Sequence, residues 1–278
     1  MSSSNAVRLS PDHPFDRLVS LMETLRGRDG CAWDRAQTLE TLRGYAIEEL
    51  YEVIDAIDEG SSSKHMEELG DLLLQIVFQS RIQEEAGAFS IWQVCDAITS
   101  KMERRHPHVF GDVRASSAEE AHASWEKSKA AERARRSEAG LGFESVLAGV
   151  PRAMPSLLRG LRLAEKAATV GFDWENGSQV FAKVREEIGE LEEAIEVQNQ
   201  ESIRHELGDL LLAMTNLARH LRVEPESALR EANDRFTARF QHLEQEAFER
   251  GEDLNEMTLE ELEQRWQRAK QALAAEPG

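Results

Sequence analysis

Apolar residues along this chain recur at helical spacing. Between Leu39 and Ile57 they fall at Leu42, Ile47, Leu50, Tyr51, Ile54 and Ile57, and a second series runs Met66, Leu69, Leu73, Ile76, Val77 and Ile82. Rows of this kind mark one face of an α-helix. Further helices are expected over about 12–26, 90–104, 116–136, 155–168, 178–197, 200–222, 225–249 and 258–274. No run of alternating β-branched residues suggests a strand. Abundant Leu, Ala, Glu, Arg and Gln favour helix as well. The expected fold is all-α. The stretch Arg133–Gly142 is charged and then Gly-rich, and reads as a connector.

The chain repeats itself. Glu48-Glu49-Leu50-Tyr51-Glu52 is followed by Glu68-Leu69-Gly70-Asp71, and Glu186-Glu187-Ile188-Gly189-Glu190 by Glu206-Leu207-Gly208-Asp209. The separation from Glu49 to Glu68 is 19 residues, as it is from Glu187 to Glu206. Trp33-Asp34 answers Asp173-Trp174, the Lys101/Arg105 pair answers Arg235/Arg239, and Trp125/Lys129 answers Trp266/Lys270. Two homologous helical-bundle domains follow: an N-terminal one over 12–132, a connector over 133–150, and a C-terminal one over 151–275. A duplicated supersecondary unit of this kind packs against its copy.

The acidic residues occupy particular faces. Glu187 and Glu190 are three apart, as are Glu206 and Asp209, so each pair shares one helix face. Glu206 and Asp209 run in line with Leu210, Ala213, Met214 and Leu217, and Glu187 shares a face with Val184, Leu191 and Ala194. Burial of these acids is therefore expected. The connection near 197–201 is short, which makes the two helices antiparallel and brings four carboxylates together. One like-charge pair at about 4 Å costs on the order of 4 kcal/mol at an effective dielectric near 20. A multivalent cation relieves this, and an all-oxygen set suits Mg²⁺, Mn²⁺ or Ca²⁺ over zinc. Gly70 and Gly208 stand inside strong helices, where glycine costs about 1 kcal/mol against alanine. A close helix–helix or helix–ligand approach would explain both.

Cations complete the picture. Lys183 lies one turn before Glu187, Arg235 and Arg239 share a face, and so do Trp266 and Lys270. Basic groups beside a carboxylate-held metal are what a phosphorylated ligand requires. Other routes are missing: there is no Gly-x-x-x-x-Gly-Lys, no His-Asp dipeptide and no His-Glu-x-x-His. The segment Arg185–Glu190 departs from the Nudix box in glycine and glutamate spacing. A di-iron bundle would carry Glu-x-x-His pairs where this chain has Glu-x-x-Asp. The competing non-enzymatic reading is a helical scaffold whose acidic face docks a basic protein.

Composition narrows the setting. The 278 residues include 52 acidic and 33 basic ones, a formal charge of −19. That balance argues against nucleic-acid and membrane-surface partners, both of which need basic patches. No stretch approaches the roughly 18 apolar residues of a membrane span. The first ten residues lack the apolar core of a secretory leader. Two cysteines, Cys31 and Cys95, exclude a disulfide framework and a Cys-based zinc site. A cytoplasmic protein is expected.

These motifs, with Gly30-Cys31-Ala32-Trp33-Asp34, Arg104-Arg105-His106-Pro107-His108-Val109-Phe110 and Val170-Gly171-Phe172-Asp173-Trp174, resemble the all-α MazG family of nucleoside triphosphate pyrophosphohydrolases, in its two-domain bacterial form. The resemblance runs from about Phe15 to Lys270. It implies hydrolysis of a nucleoside triphosphate to monophosphate and diphosphate, by attack of a metal-activated water on the α-phosphorus. It implies further that Glu187, Glu190, Glu206 and Asp209 hold Mg²⁺, with Mn²⁺ as an alternative, and that Glu186 or Glu187 activates the water. Lys183, Arg235, Arg239, Trp266 and Lys270 would contact the nucleotide. The N-terminal half repeats the set as Glu48, Glu49, Glu52, Glu68, Asp71, Lys101, Arg105, Trp125 and Lys129, but has Tyr45 where the C-terminal half has Lys183. That departure points to a structural or weakly active N-terminal half. A homodimer is the expected assembly. His106 and His108 are expected as helix-end caps rather than ligands.

Overall fold

The computed structural model describes residues 13–111, 114–138, 143 and 145–275. Among the described residues every regular element is helical. The N-terminal half contains α1 (Pro14–Arg26), α2 (Ala32–Ala36), α3 (Leu39–Asp58), α4 (Ser62–Glu85), α5 (Ile91–Arg105), α6 (Pro107–Phe110) and α7 (Ala118–Glu138). The C-terminal half contains α8 (Ser156–Ala168), α9 (Gly177–Glu196), α10 (Gln200–His220), α11 (Pro225–Arg250) and α12 (Leu259–Ala275), with a 3₁₀ turn at Leu254–Glu256. The chain divides into two compact units between Ala134 and Arg135. Helix α7 thus runs into the stretch read as a connector; residues 139–142 and 144 of that stretch, and the first ten residues, lie outside the described ones.

The hairpins that carry the acids are set by local chemistry. Asn176 caps α9 by accepting from the Gln179 amide, and Asn199 caps α10 by accepting from Glu201 and Ser202. Such caps satisfy helix N–H groups that have no partner within the helix. Between α9 and α10 the chain reverses through Gln198 at φ 55°, and the equivalent reversal between α3 and α4 uses Gly60 at φ 68°. Thr38 with Thr41, and Ser61, cap α3 and α4 in the same way. The result in each half is a tight antiparallel pair, α3 with α4 and α9 with α10.

Each half has its own core. In the first, Met22, Leu42, Val77, Phe78 and Ile91 are buried, with Phe15 meeting Trp92 edge-to-face at 5.7 Å. In the second, Val180, Val184 and Leu217 are buried against Leu210 and Ala213. Helix α8 approaches α10 closely at Gly160, where a Cβ would sit 3.3 Å from Thr215 Cγ2. The glycines inside the acidic motifs behave differently. Among the described residues, no atom beyond the neighbouring residues and the helix's own backbone lies within 4 Å of where a Cβ would stand on Gly70 or Gly208, so no helix–helix approach is made at either among them.

Candidate metal and nucleotide site

Carboxylate oxygens of Glu187, Glu190 and Glu206 lie within 4.8 Å of one another, across the α9–α10 pair. Expected burial holds only in part, because the acids form a gradient from core to solvent. Glu187 is 5% exposed, Glu206 and Asp209 are half-buried, and Glu190 is exposed. The reason is rotation about the helix axis: Glu187 stands some 60° from buried Val184, and Glu190 some 120° from it. Lys183 compensates the buried charge, with Nζ 2.7 Å from both Glu186 Oε1 and Glu187 Oε1. The hydrogen bonds it donates to Glu186 and Glu187 hold its ammonium well above the usual lysine range. Glu190 goes the other way. Lost hydration and then the Glu187 charge push its carboxyl above the ordinary 4.5.

His205 was not among the residues the sequence singled out. Its Nδ1 lies 3.2 Å from Asp209 Oδ2 and 3.4 Å from Glu206 Oε1, forming a second group of three donors at the rim. An i, i+4 His–Asp pair beside the motif was the signal available for it.

The acids open onto a pocket of about 300 Å³ within the C-terminal half, enclosed by α8, α9, α10 and the loop before α9. Glu187, Asp209 and Lys183 form one end, and Leu163, Phe172, Trp174 and Leu212 form apolar walls. At the far end Arg219 donates from Nε to Asn216 Oδ1 at 2.8 Å and pairs through Nη2 with Asp173. His220 Nε2 lies 3.0 Å from the same Asp173 oxygen. Lost hydration would raise the Asp173 carboxyl, but the Arg219 and His220 hydrogen bonds hold it below the usual range.

The remaining predicted contacts sit elsewhere. Helices α11 and α12 pack on each other, and α11 on α8. There Trp266 lies against Phe236 at 5.1 Å, and the Arg239 guanidinium stands 5.9 Å from its ring centre. Arg235 pairs with Glu231 at 3.6 Å, and Lys270 is exposed. Among the described residues none of Arg235, Arg239 or Lys270 forms an ion pair with the acid cluster.

The N-terminal half keeps the acids and changes their surroundings. Carboxylates of Glu49, Glu52 and Glu68 come within 4.8 Å of one another. Desolvation raises the Glu49 and Glu68 carboxyls, and the Asp71 and Glu52 charges add to it. Glu48 is exposed. In place of a lysine, Gln75 donates to Glu49 at 3.4 Å. In the register that pairs Glu49 with Glu187, Gln75 and Phe78 stand where the C-terminal half has Ala213 and Asn216. Arg26 lies across Phe78, 5.4 Å from its ring centre, and also pairs with Glu85 and the Asp34 and Gln37 carbonyls. Larger side chains thus take up the positions that leave a pocket open beside Glu187. Arg105 is paired with Glu132, Lys129 with Glu126 and the Trp125 ring, and Lys101 lines a separate shallow groove with Phe89 and Ile98. His106 bridges α5 and α6, its Nδ1 2.7 Å from the Met102 carbonyl, as expected of a cap.

A family model described as the MazG nucleotide pyrophosphohydrolase domain matches residues 37–110 and again 176–248. The chain belongs to the MazG family. Both matches span the acid-bearing hairpins, so the repeat read from the sequence is two MazG domains in an all-α fold. Membership makes this protein a hydrolytic enzyme. Among its relatives, the nucleoside triphosphate pyrophosphohydrolase/pyrophosphatase MazG of Thermotoga maritima is 43% identical, covering 92% of this chain and 95% of that protein. The nucleoside triphosphate pyrophosphohydrolase of Escherichia coli K12 is 42% identical, covering 92% and 97%. The crystal structure of a mazG-related protein from Thermotoga maritima aligns over 41% of this chain and 98% of its own, with 25% identity and a TM-score of 0.37. No described helix is long and apolar enough to cross a membrane.

Proposed function

We propose that this MazG protein hydrolyses nucleoside triphosphates to monophosphate and diphosphate in its C-terminal half. The observation that carries the reading is the junction of the acid cluster with a base-sized apolar pocket, an arrangement with charge at one end and apolar walls beyond it. Glu187, Glu190, Glu206 and Asp209 are the residues that would hold Mg²⁺ or Mn²⁺. The fit rests on the oxygen-only donor set of Glu187, Glu190 and Glu206, whose carboxylate oxygens lie within 4.8 Å of one another. A divalent ion bound there supplies charge neutralisation at the phosphates and lowers the pKa of a bound water.

The chain's own groups do the rest. Lys183 holds Glu186 and Glu187 in place, and can pass to a phosphate oxygen once a cation satisfies Glu187. Glu186 is not among the clustered metal donors, which leaves it to accept the proton of the attacking water. The water oxygen ends on the α-phosphorus, and the α–β anhydride bond breaks to release diphosphate. Arg235, Arg239, Trp266 and Lys270 do not reach this site within one chain, so we assign their delivery to a second copy. The N-terminal half, with Gln75, Phe78 and Arg26 at the corresponding place, is assigned a structural role.

Product analysis tests this with ATP, dGTP and dUTP, in Mg²⁺ or EDTA. Monophosphate plus diphosphate is expected from the wild type, lost in EDTA and reduced at least a hundredfold in Glu187→Gln. Activity should persist in Glu49→Gln. No turnover by folded protein in Mg²⁺ would sink the enzyme reading and favour the acidic scaffold.

A further inference from the structure

We infer that Asp173 is a positioning residue: it ties the segment carrying Phe172 and Trp174 to α10, and so holds the aromatic wall of the pocket in place for a base of any kind. This rests on the proposed pyrophosphohydrolase reading, and concerns binding of the nucleoside part rather than the chemistry at the acids. The segment between α8 and α9 is anchored at both ends. At one end Gly171, at φ 83°, closes α8: its amide donates to the Ala168 carbonyl at 3.0 Å, and the Phe172 amide to the Ala167 carbonyl at 3.2 Å. Those two bonds are the Schellman pattern of a helix end. At the other end Asn176 caps α9, and Gln179 Oε1 accepts from the Glu175 amide at 3.0 Å. Between the anchors stand the two aromatic residues that line the pocket. Packing does little to fix them, since Phe172 is 77% exposed and Trp174 39%.

Asp173 supplies the missing restraint. One carboxylate oxygen, Oδ1, accepts from Arg219 Nη2, from His220 Nε2 at 3.0 Å and from the Trp174 amide at 2.8 Å. The last of these fixes the backbone on which the indole sits, and the first two bind that backbone to α10. Arg219 is itself oriented by donating from Nε to Asn216 Oδ1 at 2.8 Å. A guanidinium already oriented on its own helix loses less freedom when it meets a carboxylate. Both side chains of the pair are mostly out of water, Arg219 at 17% and Asp173 at 26% exposure, so their attraction is less screened than that of a surface pair. The N-terminal half supplies the contrast. In the register that pairs Glu49 with Glu187, Arg81 stands where the C-terminal half has Arg219, and it pairs with Glu84 and Glu85 of its own helix. The tie to the preceding loop accompanies the half that has the pocket. An aromatic face stacks every base, so the contribution of Asp173 is the same for all of them.

The test is KM and kcat of Asp173→Ala for dATP, dGTP and dTTP in saturating Mg²⁺. KM should rise about tenfold for all three, the worth of one lost base stack, with kcat within about twofold of wild type. Asp173→Asn keeps an oxygen for Arg219 and His220 without the charge; it should fall between the two, and it serves if the alanine variant does not fold. Inhibition by dAMP or dTMP should weaken by the same factor, whereas inhibition by diphosphate, which occupies only the acid end, should not change. In a Phe172→Ala/Trp174→Ala background, Asp173→Ala should add nothing further. A further rise of KM in that background would mean that Asp173 meets the nucleotide directly, and overturns the positioning role. An unchanged KM in folded Asp173→Ala, or a loss confined to kcat, overturns it as well and leaves the pyrophosphohydrolase reading intact. Calorimetric binding of dAMP and dTMP separates the two readings. Wild type that binds them but hydrolyses no triphosphate overturns the pyrophosphohydrolase reading, and a tenfold weaker binding in Asp173→Ala would still support the tie. Wild type that binds neither overturns both.

Discussion

Glu187 and Glu190 are one helical turn apart yet have different electrostatic partners, and the difference predicts how stability responds to pH. Lys183 answers the Glu187 charge, whereas Glu190 sits near Glu187 and Glu206 with its carboxyl raised. Glu49 and Glu68 are raised in the same sense. A carboxyl whose folded pKa exceeds its unfolded value binds more protons when folded, so its penalty grows as pH rises through the folded value. The depressed carboxyls, such as Asp173, Glu85 and Glu132, act below their ordinary values of 3.8 to 4.5 and destabilise only there. In EDTA the melting temperature should therefore rise as pH falls from 7.5 to about 5, then drop below about 4. Saturating Mg²⁺ should reverse the first slope, since protonation competes with metal. Thermal unfolding by circular dichroism, with and without EDTA, checks both. A melting temperature unmoved by Mg²⁺ at pH 7.5 would remove the metal from these acids.

At the scale of helices, close contact and side-chain reach decide what each half can do. The approach of α8 to α10 at Gly160 is tight, with Thr215 Cγ2 and Leu212 Cδ1 at 3.3 and 3.4 Å from a Cβ there. Gly160→Leu should overpack this contact and cost about 1–3 kcal/mol in urea unfolding. In the N-terminal half, Arg26→Ala should cost about 2 kcal/mol, because it leaves Glu85 with Arg81 alone and frees the Asp34 and Gln37 carbonyls that tie α2 to α1. Stability unchanged in either variant would contradict these contacts. The helices and the acid pairs were legible in the sequence because i, i+3, i+4 spacing survives folding as a face. Asn216 was not legible: one polar residue inside the stripe Leu212–Ala213–Leu217 reads as a tolerated exception until its partner Arg219 is seen. Arg26 was hidden for a different reason. Its reach to Phe78 crosses from α1 to α4, and no local spacing encodes that.

For the whole molecule, the open question is what covers its apolar surface. Leu207, Leu211 and Met214 on α10 are each about half exposed, as are Ile188 and Ile195 on α9. Leu69, Leu73 and Ile76 on α4, with Leu50 and Ile57 on α3, repeat that face in the N-terminal half. Gly70 and Gly208 lie open beside these faces, where the approach of a second copy would account for them. A two-fold dimer needs a patch that meets its own copy, and helix pairs repeated in each half provide one. Sedimentation at micromolar concentration should give a dimer. Leu211→Glu combined with Leu73→Glu should shift it to monomer and reduce turnover at least tenfold, with Gly208→Ala weakening association to a smaller degree. Activity falls in that case because Arg235, Arg239 and Lys270 lose access to the acids of the other copy. A monomeric wild type with full activity would mean that these cations reach the nucleotide by movement within one chain.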